Sequence, residues 1–206
     1  NLVGAGRTDA GVHAIGQVAH VDLATEHNCE TVEKALNFYL NKYPISILRA
    51  KSVSKDFHAR YSAVKRHYTY KIFYRKTALT FDRSQYWRIK QKLDMEGMRL
   101  AANYLIGKHD FTTFRSSLCQ ASSPIKTMDK ISIKSEKIRD GIVYKLDFTA
   151  RSFLHNQIRS IVGSLEKVGR GRWRPQKIKE ILLSKKREQC ATLAPPSGLY
   201  LASVEY

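Results

Sequence analysis

The sequence predicts an α+β fold with a mixed, mostly antiparallel central sheet flanked by helices. Three observations carry that expectation. Strand-like and helix-like periodicities alternate without the regular strand–helix–strand rhythm of a parallel sheet. An Asp140-Gly141 pair sits between two alternating runs, which is a strong hairpin signal. The 206 residues are 43% hydrophobic, enough to bury a core in one large domain or two small ones.

The elements follow in chain order. After a glycine-containing loop, "HAIGQVAHVDL" (13–23) alternates and carries β-branched residues, so it reads as a strand. "TVEKALNFYLNKY" (31–43) places Val32, Ala35, Leu36, Tyr39 and Leu40 at helical spacing, with Thr31 as N-cap and Pro44 as the stop. "ISILRAKSV" (45–53) reads as a strand. In "RHYTYKIFY" (66–74), Tyr68, Tyr70, Ile72 and Tyr74 share one face of a strand, with His67, Thr69, Lys71 and Phe73 on the other. "DMEGMRLAANYLIG" (94–107) stripes Met98, Ala101, Ala102 and Leu105 along a helix that Gly107 would cap. Residues 109–128 read as a long polar loop with a short strand or turn.

"KISIKSEKI" and "IVYKLDFTA" then flank Arg139, Asp140 and Gly141 as the arms of the hairpin. "SFLHNQIRSIVGSLEKVG" (152–169) is a helix with Ser152 as N-cap and Leu154, Ile158, Ile161, Val162, Leu165 and Val168 inward. Pro175 opens another helix with Ile178, Ile181 and Leu182 inward. "SGLYLASVEY" (197–206) closes the chain as a strand buried on both faces.

Lys plus Arg number 36 against 18 acids, a net charge of +18. The basic residues are spread along the whole chain, which points to a folded basic surface and a polyanionic partner, with nucleic acid ahead of a membrane surface. Cys29, Cys119 and Cys190 stand far apart and form no C-x-x-C pair, so neither a disulfide framework nor a zinc site is indicated. No apolar run reaches the length of a membrane-spanning helix, and a reducing, cytoplasmic setting is expected. His13, His20, His58, His67, His109 and His155 show no metal-ligand spacing.

The loop "GAGRTDAGVHA" (4–14) holds the one concentrated chemical signal. A dinucleotide fingerprint fails because Asp9 stands where the third glycine belongs, and its charge would repel a pyrophosphate. A P-loop fails because Val12 and His13 follow Gly11. One remaining reading is a turn-forming aspartate with a solvated Arg7. The other makes Asp9 the agent, as nucleophile, base or electrostatic stabiliser in a cleft.

"GRTDAGVHAIGQVAH" resembles the signature of the TruA-type tRNA pseudouridine synthases. "FHARYSAVKRHYTYKI" (57–72), "DFTTFRSSLCQ" (110–120), "RSFLHNQIRSIVGSL" (151–165) and "GLYLASVEY" (198–206) resemble further blocks of that family in the same order. The resemblance implies a pseudouridine synthase-like fold of two similar subdomains around a basic cleft. Residues 1–95 would form the catalytic subdomain, and residues 96–206 the one that completes the cleft. It implies that Asp9 is the catalytic aspartate, that Tyr68 stacks on the target base and that Arg159 pairs with the acid. Arg7 would take the place of the extruded nucleotide. His13, Arg60, Arg66, Arg115 and Leu201 would join it in binding substrate, His13 by orienting the loop.

The implied reaction isomerises uridine to pseudouridine in the tRNA anticodon arm, in a homodimer, with no cofactor and no metal. The family carries a further strand and helix ahead of the glycine loop. A shortened start, an exposed sheet edge and reduced turnover are therefore expected here. His155 and Asn156 stand where the family commonly has an aromatic residue and a histidine, a departure not expected to remove activity. Two readings compete with the enzyme. One is a basic RNA-binding fragment that has lost catalysis. The other is a metal-dependent hydrolase, disfavoured because no second carboxylate clusters near Asp9.

Overall fold

A computed structural model describes residues 1–138 and 140–206. Nine strands and four α-helices are present among these residues, in the order β1 (Val3–Gly4), β2 (His13–Ala14), β3 (Ala19–His20), α1 (Cys29–Leu40), β4 (Lys65–Tyr74), β5 (Trp87–Ile89), α2 (Met95–Asn103), β6 (Gly107–Asp110), β7 (Ile125–Ile138), β8 (Gly141–Ala150), α3 (Gln157–Gly169), α4 (Gln176–Ser184) and β9 (Leu199–Glu205). The main sheet runs β2-β9-β4-β8-β7-β6, with β5 paired beside the end of β4. The β2–β9 and β4–β5 pairings are parallel and the others antiparallel. β1 and β3 make a separate two-stranded ribbon. The expected mixed, mostly antiparallel sheet is present, and it runs across residue 95, since β4 lies between β8 and β9.

The alternation in β4 decides which face is buried. Tyr68, Tyr70 and Ile72 stand opposite Phe148, Leu146 and Tyr144 of β8. Ile131 and Ile133 of β7 extend the same row. All join one core with Met98, Ala101 and Ala102 of α2, Ile158, Ile161, Val162 and Leu165 of α3, and Ile178 and Ile181 of α4. On the reverse face, Thr69 Oγ1 donates to Asp147 Oδ1 at 2.7 Å, and His67 Nδ1 lies 3.0 Å from Thr149 Oγ1. One face therefore packs against helices while the other carries a polar ladder, as an antiparallel sheet allows.

Several boundaries differ from the sequence reading. The strand expected over 13–23 is broken into β2 and β3. The N–H groups of Ile15 and Gly16 both donate to Leu201 O, which bends the chain off β9 and into the ribbon with β1. α1 begins at Cys29, capped by Asn28 Oδ1 on the Glu30 N–H, and not at Thr31. Its apolar stripe exists but no residue of the helix is buried. Residues 45–53 are not a strand, because no neighbouring strand pairs with them. Ile47 instead takes both backbone bonds from the Asn37 side chain, at 2.9 and 2.8 Å. α2 ends at Asn103, so Gly107 is no helix cap and opens β6 at φ 104°.

Between β6 and β7, the loop expected over 109–128 contains a 3-10 turn at Thr112–Phe114. The hairpin is present, with Ile138 paired to Gly141; Arg139 lies outside the described residues. α3 begins at Gln157, so Ser152 is not its cap and residues 152–156 form a loop. β9 is buried on both faces only over Leu199, Tyr200 and Leu201, and its remaining residues alternate toward solvent.

Candidate active site

Asp9 sits at the first position of a tight turn. The Val12 N–H donates to Asp9 O at 2.9 Å, and Gly11 takes φ 81°, which a side chain would strain. A Cβ on Gly11 would also lie 3.1 Å from Pro196 Cγ. The loop ahead of the turn is stapled by polar contacts. Ala5 N–H donates to Val18 O at 2.7 Å, and Gln17 Nε2 donates to Gly6 O at 2.8 Å. The Arg66 guanidinium donates to Ala5 O from Nε and Nη2, at 3.1 and 2.9 Å, and also to the carbonyls of Arg60 and Arg151.

Tyr68 rises from the middle of β4 and is 8% exposed. A Cβ on Gly6 would stand 3.1 Å from its hydroxyl, so a small residue in the loop is what lets the phenol approach. The hydroxyl has no hydrogen-bond partner among the described residues. Burial pushes its pKa up to about 12; the Arg66 charge opposes this and the Asp9 charge adds to it. Phe153 meets the Tyr68 ring edge-on, with centroids 5.2 Å apart.

Arg159 lies in the first turn of α3. Its Nη1 donates to Asp9 Oδ2 at 3.1 Å and to Asn156 Oδ1 at 3.1 Å, and its Nε donates to Ala194 O at 2.8 Å. The second carboxylate oxygen, Oδ1, lies 3.2 Å from His155 Nε2. The Asp9 side chain remains 31% exposed, facing a cleft of about 530 Å³. Arg7, Arg60, Arg66, Tyr68, Phe153, His155 and Arg159 line that cleft with it. Asp9 and Tyr68 come from residues 1–95, and His155 and Arg159 from residues 96–206.

Asp9, Tyr68, Arg159, Arg7, Arg60 and Arg66 are thus brought together. Arg7 reaches across the cleft to donate to Gln120 Oε1 at 2.9 Å. Arg66 lines the wall, but its N–H groups are turned to protein carbonyls, so it braces the loop. His13 and Arg115 are not brought into the cleft. His13 stacks on Tyr200 at 4.7 Å, with Nε2 2.7 Å from Ser84 O. Arg115 Nη2 donates to the carbonyls of Cys119 and Ala121, both at 2.8 Å, and so shapes the loop that lines the cleft. Leu201 is fully buried beneath the glycine loop, its Cδ2 3.7 Å from a Cβ built on Gly6. His155 was not singled out as a site residue from the sequence. Its signals there are a departure from the family's usual residue and a spacing of four from Arg159.

Fold and site define an α+β protein whose mostly antiparallel sheet backs an arginine-lined cleft around a paired aspartate. Comparison with known proteins gives the family. Residues 101–206 match the tRNA pseudouridine synthase family. Over 205 residues the chain is 50% identical to tRNA pseudouridine synthase A of Dinoroseobacter shibae, covering all of this chain and 80% of that protein. It is 49% identical to the Paracoccus denitrificans protein of the same name, covering 78% of it. Against the Maricaulis maris protein of that name it is 50% identical, covering 81% of it. The chain belongs to the tRNA pseudouridine synthase family.

Proposed function

We propose that this chain isomerises uridine to pseudouridine in the anticodon arm of tRNA, with Asp9 as the reacting acid and without a cofactor. The observation that carries the proposal is the convergence of Asp9, Tyr68 and Arg159 in one cleft, from positions 59 and 150 residues beyond Asp9 in the case of the two partners. In the reaction the C1′–N1 bond breaks, the uracil turns, a C1′–C5 bond forms, and the C5 proton is lost as N1 gains one. Nothing is added to or removed from the nucleoside overall.

The carboxylate can attack C1′, take the 2′ proton or stabilise positive charge on the ribose. Arg159 orients it in each case through a charge-assisted bond. The uracil must leave its stack to reach the acid, and an aromatic face such as Tyr68 returns about 1–3 kcal/mol of stacking. Arg7 and Arg60 at the cleft meet phosphates or the gap left by the extruded base. The same reading takes the anticodon stem-loop as the bound element, two subdomains closing on it, a homodimer as the working assembly and the cytoplasm as its setting.

The test is tritium release from tRNA carrying 5-tritiated uridine. Wild-type protein is expected to release label, and Asp9→Asn to release none while retaining salt-sensitive tRNA binding. Release by Asp9→Asn at the wild-type rate would refute the role of the acid. Binding without release by the wild type would leave an RNA-binding module in place of the enzyme.

A further inference from the structure

We infer that His155 is a second positioning residue for Asp9, its imidazole Nε2 standing against Oδ1 while Arg159 holds Oδ2. The inference rests on the pseudouridine synthase reading and deepens it. A carboxylate gripped at one oxygen still turns about its terminal torsion, which is broad and roughly two-fold for aspartate. Two donors approaching from different elements stop that rotation. The two contacts here are 3.2 Å from the imidazole and 3.1 Å from the guanidinium.

The local backbone is built for this double grip. Asn156, between His155 and α3, holds φ 62° and ψ 6° in the left-handed region, where asparagine is among the few residues tolerated. That turn keeps His155 outside the helix while Arg159 sits inside its first turn, so the two side chains reach one carboxylate from separate elements. The Asn156 Oδ1 in turn accepts from Arg159 Nη1, tying the turn to the guanidinium. His155 is pinned through its own backbone as well. Its N–H donates to Cys119 Sγ at 3.4 Å, and its carbonyl accepts from the Ser116 N–H at 3.1 Å. The imidazole therefore stands on a backbone anchored at both its polar groups. A side chain of similar reach that keeps an N–H donor can take its place at Oδ1.

Turnover by wild type, His155→Phe and His155→Gln on tRNA tests the assignment. In His155→Phe, kcat is expected to fall roughly 10- to 100-fold, as for a misplaced reacting group, while KM and tRNA affinity stay at wild-type values. His155→Gln, which keeps a donor, is expected to recover most of kcat. Equal loss in both variants, or wild-type kcat in His155→Phe, overturns the assignment. A nitrogen-15 NMR spectrum of the imidazole supplies a readout independent of turnover. It is expected to show the Nε2–H tautomer in wild type and a mixed tautomer in Asp9→Ala, and a ring unmoved by that change refutes the contact even if the variants misfold. An inactive wild type with the Nε2–H tautomer present would instead count against the synthase reading alone, leaving the clamp intact.

Discussion

Residues 1–64 and residues 65–206 are built on different terms. In the first segment the only buried residues are three alanines, Ala5, Ala59 and Ala63, and α1 buries nothing. Leu2, Phe38, Tyr39, Leu48 and Tyr61 are each more than 70% exposed. In the second segment five strands and three helices share one core, with Tyr70, Phe111, Phe114, Phe148 and Leu165 fully buried. Yet Asp9 belongs to the first segment and its partners His155 and Arg159 to the second. The loop that carries Asp9 is therefore not held by apolar burial. It is held by hydrogen bonds from Arg66, Gln17 and Arg159, with the His155 imidazole beside the second carboxylate oxygen; Arg66, His155 and Arg159 are anchored in the packed segment. The difference teaches that precision at this site comes from polar contacts reaching out of a rigid sheet and helix.

The largest expected effect sets the two segments side by side. Leu165→Ala in α3 should cost about 2–5 kcal/mol, since its side chain is fully buried. Leu36→Ala in α1, already 40% exposed, should stay within about 0.5 kcal/mol. Denaturant midpoints for the two variants check this, and equal losses would erase the contrast. Next comes the staple between the segments. Arg66→Met should cost about 1–3 kcal/mol, by leaving the carbonyls of Ala5, Arg60 and Arg151 without their donor. Amide exchange over residues 4–12 should quicken while exchange in α3 is unchanged; acceleration in both would show that the loop and core unfold as one.

The smallest effect appears only in alkali. Burial holds the phenols of Tyr68 and Tyr200 protonated, with pKa values pushed up to about 12 against an ordinary 10.0. Between those values the unfolded chain has lost protons that the folded protein keeps. Stability is therefore complete below about pH 10 and falls as pH rises toward 12. Phenolate absorbance followed alongside circular dichroism should show these two tyrosines ionising only as the packed segment opens. Early ionisation of Tyr68 would mean that its end of the cleft is wetter than the sheet around it.

Much of the packed segment was legible in sequence. β4, the β7–β8 hairpin and the stripes of α2, α3 and α4 were readable because their apolar residues repeat at the period of the element and meet a partner surface. Residues 45–53 carry the same β-branched composition and form no strand, since composition cannot supply a neighbouring strand to bond with. α1 formed, but its stripe found nothing to cover it. The ends of helices were the least legible. Ser152 looks like a cap on α3, yet the chain spends four more residues in a loop, and that loop is where Phe153 and His155 enter the cleft.

Local order is what the amino-acid sequence carried alone: a glycine loop holding Asp9, a tyrosine face along β4, and an arginine on the helix that follows β8, together with blocks whose order resembles the family's. Only the tertiary structure decided that these meet. Asp9 and Arg159 stand 150 positions apart, and their 3.1 Å contact exists because α3 packs on the sheet that β4 and β9 share. It likewise turned Arg66 toward carbonyls, sent His13 to Tyr200 and brought His155 to the second oxygen of the acid. Periodicity acts within a few residues along the chain, whereas the pairing of a carboxylate with its donors depends on where packing leaves each of them in space.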